Sequence, residues 1–333
     1  MEKPKTLQEA IQFFSDEQTC IDAVAKMRWP EGPHCPWCVS EKGAKPYYLK
    51  TQKRWKCREC RKQFSVKQGT IFQDSPIPLQ KWLPAMWLLT NCKNGVSSWE
   101  IHRALGVTQK TAWFMLHRIR LGMKEDFGSG PLNKIGGEGH EVEVDETFVG
   151  GQKRNMHKDK QVRYEAKGGA SGKTVVQGIL DRTARQVRAK VMPNVKRETL
   201  QAEILNNVKY GTQVYTDSAV AYEQGMQWRF VHDMVDKSVA YVNGRVHVNG
   251  VENFWSLFKR GVRGTYVAVE PFHLDRYLDE QVYRFNNRGT KEEPMDDYAR
   301  FEKVLGQIAN KRLTYAELTG KTEEAATTTP EPF

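Results

Sequence analysis

Four residues in the second half of the chain have types and spacings suited to phosphoryl transfer. Asp145 closes a run in which valines alternate with acids, Glu141-Val142-Glu143-Val144. That is the pattern of a half-buried strand, so the Asp145 carboxylate is expected to project at a strand end. Asp217 closes a second strand-like run, Val214-Tyr215-Thr216, and Glu252 follows 35 residues later, with Lys259 two helical turns further on. Two strand-end aspartates and a helical glutamate can hold two divalent cations about 4 Å apart, and such a pair stabilises the entering and leaving oxygens of an in-line displacement at phosphorus. Oxygen-only ligands select Mg²⁺ or Mn²⁺. Lys259 would bind a phosphate as a mobile point charge. The residue types alone leave alternatives open. Asp217 can be the N-cap of a helix starting at Ser218, Glu252 and Lys259 can be helix-face neighbours in solvent, and Glu143 or Glu146 can stand in for Asp145.

A second chemistry lies near the N-terminus. Cys35-Pro-Trp-Cys38 and Cys57-Arg-Glu-Cys60 are separated by 18 residues, a spacing suited to a four-cysteine zinc ribbon. Four thiolates around Zn²⁺ close the coordination shell, so this metal is expected to be structural and the small module to depend on it for folding. Cys20 and Cys92 fall in apolar helical patterns and read as buried thiols without a role.

A third group of residues points to a polyanion. Lys and Arg number 51 against 40 Asp and Glu, a formal charge of +11 that favours nucleic acid through counterion release. Around the cysteines, Arg54, Lys56 and Arg58 interleave with aromatics. The run Ser97–Ala112 reads as a helix, a tight turn at Gly106 and a second helix capped by Thr108, the outline of a helix-turn-helix. With Ala112, Met115, Leu116 and Ile119 turned inward, Gln109, Lys110, His117, Arg118 and Arg120 are expected to face solvent or the major groove.

These residues need scaffolds. Hydrophobic residues make up 39% of the 333 and charged residues 27%, with 9 Trp and 14 Phe, which is ample for a packed core and excludes a mainly disordered chain. No run approaches the roughly 20 apolar residues of a membrane span, and the first residues lack the apolar centre of a signal peptide. A cytoplasmic, nucleoid-associated protein without a membrane partner is therefore expected. The pattern divides the chain into an N-terminal helix (1–30, helical over 6–26), a zinc ribbon (31–70), a helix-turn-helix domain (76–127), a catalytic core (138–290), a C-terminal helical segment (291–321) and a disordered tail (322–333). A Gly-Ser-Gly-Pro linker at 128–131 precedes the core. Within the core the order is three strands, a helix, a strand, a short helix, a strand and a long helix from about Asn249 to Arg263, an α/β order with a mixed sheet. On that long helix Val251, Phe254, Phe258 and Val262 form an apolar stripe, and Glu252, Ser256, Lys259 and Arg263 form the stripe beside it.

The strings RWPEGPHCPWC, WKCRECRKQFSVKQGTIF, LGVTQKTAWFMLHRIR, VEVDETFVGG, VYTDSAVAY, VENFWSLFKRGVRGTY and HLDRYLDEQVYRFNNR together resemble the insertion-sequence transposases of the IS1595 (ISXO2-like) group over nearly the whole chain. The resemblance implies a multidomain α+β protein with a zinc ribbon, a helix-turn-helix and an RNase H-like core bearing a D-D-E/N-K set. Residue by residue it carries to Asp145, Asp217, Glu252 and Lys259. The third position varies in the family, and Asn249 and Asn253 lie nearby. Glu252 is chosen because it shares a helix face with Lys259, whereas Asn253 lies about 100° further round. The basic segment Lys153–Lys160, with Lys153 and Arg154 at its start, is similar to a family insertion expected to contact DNA, as is Arg263. The implied partners are the element's inverted-repeat ends, target DNA and at least one further copy of the chain when two ends are synapsed. A non-catalytic DNA-binding descendant is the alternative, and a stand-alone RNase H-like nuclease has little use for two DNA-reading modules.

Overall fold

The computed structural model describes residues 3–38, 45–127, 133–150, 173–219, 221–239 and 242–321. The linker at 128–131, Lys153 and Arg154 with their basic segment, and the tail from 322 lie outside the described residues. The chain divides into two compact units, Met1–Lys124 with Asn287–Phe333, and Glu125–Asn286. Among the described residues no helix is long and apolar enough to cross a membrane.

In the first unit the expected single helix over 6–26 is two helices, α1 (Leu7–Phe13) and α2 (Glu17–Arg28). The break occurs because Asp16 acts as an N-cap, its carboxylate accepting the Thr19 N–H at 2.7 Å, and this local bond outcompetes helix continuation. Strands β1 (Tyr47–Leu49), β2 (Arg54–Lys56) and β3 (Gln63–Phe64) form an antiparallel three-stranded sheet. Helix α3 (Leu79–Asn91) follows, then α4 (Ser98–Leu105) and α5 (Gln109–Met123). The α4–α5 turn has the anticipated chemistry: Gly106 takes the left-handed conformation (φ 59°) and Thr108 caps α5 by accepting the Thr111 N–H at 3.1 Å.

The second unit is built on a mixed five-stranded sheet of β4 (Glu141–Val149), β5 (Thr174–Asp181), β6 (Gln186–Met192), β7 (Gln213–Asp217) and β8 (Val231–Val235), in the spatial order β6-β5-β4-β7-β8. The β4–β5 and β5–β6 pairs are antiparallel, and β4–β7 and β7–β8 are parallel. Helix α6 (Arg197–Asn207) covers one face, where Leu200 and Ile204 pack with Val142, Val144 and Val214. Helices α7 (Asn249–Gly261) and α8 (Leu274–Asn286) cover the other, burying Val251, Phe254, Trp255, Phe258 and Leu278 against Val176 and Leu180. The short helix expected after Asp217 is absent among the described residues, which run through turns to Phe230. Helix α7 ends two residues before Arg263 and continues as a five-residue π-helical segment, Val262–Tyr266.

The C-terminal segment, set apart by the sequence pattern, instead belongs to the first unit. Phe301 of α9 (Asp297–Gly306) packs on Phe14 and Trp87 at ring-centroid distances of 5.1 and 5.7 Å. The following residues pair with the loop before α3, Ile71 N–H to Ile308 C=O at 3.2 Å, and lead to the one-turn helix α10 (Tyr315–Leu318).

Candidate functional site

The alternation along β4 sends Val142 and Val144 to the α6 face and Glu143 and Asp145 to the α7 face. The parallel register pairs Glu143 with Tyr215, so two residues further along Asp145 and Asp217 stand side by side; Asp217 closes β7 as expected, whereas Asp145, expected at a strand end, is the fifth residue of β4, which runs on to Val149 because β5 continues to pair with it. Strand β8 pairs Asp217 with Val235, and Lys237 follows two residues later. Helix α7 then lays Glu252 beside these residues. The result is a cluster around one ammonium: Lys237 Nζ is 2.8 Å from Glu252 Oε1, 3.8 Å from Asp217 Oδ2 and 3.9 Å from Asp145 Oδ1.

Two further residues hold Asp145. The indole N–H of Trp255 donates to its Oδ2 at 3.0 Å. Gly178, the cross-strand partner of Asp145, leaves room for that ring, since a Cβ there would stand 2.6 Å from Trp255 Cζ2. Burial pushes the Asp145 carboxyl up to about 6, with Lys237 opposing and the charges of Asp217 and Glu252 reinforcing the rise. The neighbouring Glu146, on the opposite face, accepts from Gln177 Nε2 at 3.3 Å and is pushed up to about 8, chiefly by burial and then by Asp145 and Asp217. Asp217 Oδ1 accepts the Ala219 N–H at 3.2 Å, a turn contact in place of the helix cap weighed from sequence.

Lys259 is half-buried, about one turn along α7 from Trp255. Burial and the charge of Arg263 hold its ammonium below the ordinary lysine range, and Asp145 opposes them. Arg263 is exposed, as are Asn249 and Asn253. Sequence reasoning missed Lys237 and Trp255. The indole belongs to the buried face of α7 and was readable there, but Lys237 comes from a segment without periodicity.

In the first unit the thiols of Cys35, Cys38, Cys57 and Cys60 converge, with all four sulfurs within 4.8 Å of one another. The Cys35–Cys60 and Cys38–Cys57 sulfur pairs are 3.6 and 3.5 Å apart. Zn–S bonds of 2.3 Å in a tetrahedron imply S···S separations of roughly 3.8 Å, so the four cysteines are positioned to bind a metal. Backbone N–H groups of Cys60 and then Glu59, aimed at the Cys57 sulfur, draw its thiol down to about 7. Trp55 is packed between Trp29 and Tyr48, at ring distances of 5.1 and 4.8 Å, which anchors β2, the strand that leads into Cys57. Arg54 and Arg58 are exposed and Lys56 half-buried. Arg58 lies 5.5 Å over the Tyr47 ring.

The α5 helix departs from expectation. Lys110 is exposed and Gln109 half-buried, donating to Ser98 Oγ at 2.8 Å. His117, Arg118 and Arg120, expected to face outward, are only 0%, 4% and 1% exposed. The Arg118 guanidinium donates to Gln73 C=O at 2.5 Å and lies over the rings of Phe114 and Trp82. The expectation treated α5 as one-sided. Instead Ile71, Val304 and Ile308 close over Gly122, each within about 3.6 Å of where its Cβ would be. Residues on α4 that face solvent were overlooked: Trp99 is 57% exposed and Arg103 is exposed.

Residues 136–286 match the profile of the ISXO2-like transposase domain, and residues 15–63 match that of a transposase zinc-ribbon domain. Over 258 residues the chain is 25% identical to an uncharacterized protein in transposable element ISH50 of Halobacterium salinarum, which spans 75% of this chain and 84% of that protein. Over 101 residues it is 33% identical to an uncharacterized transposase-like protein of Haemophilus influenzae, covering 30% of this chain and 81% of the relative.

Proposed function

Given that the chain belongs to the IS1595, ISXO2-like transposase family, we propose that it binds the terminal inverted repeats of its own element, cleaves the 3′ ends and joins them to target DNA. The observation that carries this reading is the gathering of Asp145, Asp217 and Glu252 within 4 Å of one cation, Lys237 Nζ. An all-oxygen donor set that already surrounds a positive charge suits Mg²⁺ or Mn²⁺. When bound there, two such ions would stabilise the entering and leaving oxygens of a phosphodiester displacement. In this reading the strand order of the second unit is that of an RNase H-like core.

The remaining residues divide the work. Lys259 and Arg263, on the face beside the acids, hold the phosphates of the strand being cut. Trp255 keeps the Asp145 carboxylate in one orientation. The four cysteines hold a structural Zn²⁺, and the ribbon with Arg54, Lys56 and Arg58 meets the DNA backbone. Helices α4 and α5 act as a helix-turn-helix that reaches DNA through Gln109 and Lys110. Pairing of two ends requires at least two copies of the chain on the DNA.

The test uses the full-length protein with Mg²⁺ and labelled duplexes that carry the terminal repeats flanking its gene. Liberated 3′ ends and joined products are expected, and both should vanish with Asp145→Asn or Asp217→Asn. Binding to those ends without cleavage in either Mg²⁺ or Mn²⁺ would replace the enzyme with a DNA-binding regulator.

A further inference from the structure

Among the described residues of the second unit, Lys237 is unlike the other lysines in what it faces. Its ammonium lies within 4 Å of three carboxylates from three different elements, β4, β7 and α7. Two of those carboxylates are sheltered, with side-chain exposures of 10% for Asp145 and 28% for Asp217. This is a central position. A divalent ion bound by any two of these carboxylates would sit about 2.1 Å from their oxygens, which places it within roughly one ionic diameter of Nζ. Two cations cannot share that space, since neither shields the other and their repulsion acts at contact distance.

The lysine is also able to leave. It stands two residues beyond the end of β8, its side chain is 31% exposed, and its charge rides on four flexible methylenes. From this geometry we infer that Lys237 is an internal counter-ion that occupies the metal position, so that divalent ions load by exchange with its ammonium. The inference rests on the reading of Asp145, Asp217 and Glu252 as divalent-cation ligands.

Two consequences follow from the exchange. Without metal, the ammonium neutralises three carboxylates that would otherwise repel one another, which stabilises the folded chain. With metal, only molecules whose Lys237 has swung out are competent, and the apparent affinity falls by that fraction. With a charge-assisted contact at 2.8 Å to Glu252 and two longer ones to give up, a competent fraction of roughly one in ten is expected, a tenfold effect equivalent to about 1.4 kcal/mol. Competition outweighs the loss of preorganisation because Trp255 holds Asp145, and the sheet register holds Asp217, without help from the lysine.

The test is calorimetric titration of the zinc-loaded, full-length protein with Mn²⁺, comparing the native chain with Lys237→Met, Lys237→Arg and Asp145→Asn. Lys237→Met should bind Mn²⁺ roughly tenfold more tightly, and Lys237→Arg, which keeps the charge, should stay near the native value. In metal-free buffer Lys237→Met should melt below the native protein, and Mn²⁺ should raise its melting temperature by the larger amount. Equal or weaker Mn²⁺ binding by Lys237→Met overturns the exchange while leaving the metal site standing. No specific Mn²⁺ binding by the native chain or by Lys237→Met, with Asp145→Asn indistinguishable from both, overturns the metal reading itself and the exchange with it.

Discussion

Glu143 Oε2 accepts the backbone N–H of Val251 at 2.8 Å, which ties the strand carrying Asp145 directly to the first turn of the helix carrying Glu252. Helix α7 has no side-chain cap of its own, so this buried carboxylate satisfies one of its free N–H groups from across the fold. The second oxygen accepts from Arg182 Nε at 2.6 Å, and Gly250 gives the carboxylate space, since a Cβ there would stand 3.0 Å from both oxygens. Glu143 is 1% exposed, so its removal leaves the Val251 N–H without its acceptor and takes from Arg182 one of two carboxylates, the other being Glu141 at 3.3 Å. Glu143→Ala should therefore destabilise the protein by about 2–3 kcal/mol, chiefly through the orphaned N–H, and Glu143→Gln, which can still accept, by less. Urea denaturation of the two variants checks this, and a cost below about 1 kcal/mol for the alanine would mean that α7 is anchored elsewhere.

The closeness of α7 to the sheet gives a second expectation. A Cβ at Gly178 would meet the Trp255 ring at 2.6 and 2.9 Å and Val251 at 3.0 Å, all three being packed groups with little freedom to retreat. Gly178→Ala should cost about 1–3 kcal/mol through overpacking. It should also lengthen the Trp255–Asp145 bond, so strand transfer is expected to fall further than DNA-end binding. Unchanged stability and unchanged transfer together would show that the helix can shift without consequence.

The sequence made part of this arrangement readable, for identifiable reasons. Period-2 alternation puts the Asp145 carboxylate on one face of a strand, although that strand runs on to Val149 instead of ending there, and period-3.6 spacing puts Glu252 and Lys259 on one stripe of a helix. Both are local patterns. Lys237 could not be found that way, because its place depends on the parallel register of β7 and β8, which no local pattern encodes. Arg118 and Arg120 were misassigned for the converse reason: a charged residue on a short amphipathic helix normally points outward, and here segments around 71 and 308, distant in sequence, cover the face that should have been open. The Cys-x-x-Cys pairs were legible because metal-ligand spacing is itself local.

The two kinds of cation on α5 should separate cleanly in experiment. Arg118→Ala removes a buried hydrogen bond to Gln73 and the contacts with Phe114 and Trp82, so a stability loss of about 2–4 kcal/mol is expected. Lys110→Ala, at an exposed position, should leave stability within about 0.5 kcal/mol of native. Its effect should appear on DNA, as weaker binding with a salt slope shallower by about 1 if it contacts phosphate. Equal DNA affinity of Lys110→Ala and native protein across salt concentrations would shift recognition to the ribbon or to α4.

The cysteine cluster should behave as a folding unit. A metal that fills a tetrahedral thiolate site contributes its binding energy to folding, and the three short strands bury only Trp55 and Phe64. One zinc per chain is expected from metal analysis of protein purified without chelator. Cys57→Ser should lose that zinc and expose the ribbon to proteolysis, while the five-stranded sheet of the second unit stays folded. Retained stoichiometric zinc in Cys57→Ser would mean that the metal is bound elsewhere.

Glu146 predicts a pH dependence whose sign can be worked out. Its carboxyl, half-buried on the α6 side of the sheet, is raised from 4.5 to about 8, first by burial and then by the charges of Asp145 and Asp217. The folded protein thus holds a proton that the unfolded chain releases above 4.5. Stability from this group is fully present below that pH and is lost as pH rises through about 8. Each pH unit in the window costs up to about 1.4 kcal/mol, and the partial exposure of the side chain and the attraction of Lys237 reduce the total to about 2–4 kcal/mol. Glu146→Gln is neutral at every pH and can keep the contact with Gln177. It should match the native protein near pH 5 and exceed it by that margin near pH 8.5 when both are unfolded in urea without divalent ions. Asp145, raised to about 6, remains in both proteins, so a shared decline between about pH 4 and 6 belongs to it and cancels in the comparison. Parallel stability curves for the two proteins from pH 5 to 8.5 would mean that Glu146 is ionised in the folded state and that another charge near the strand ends balances it.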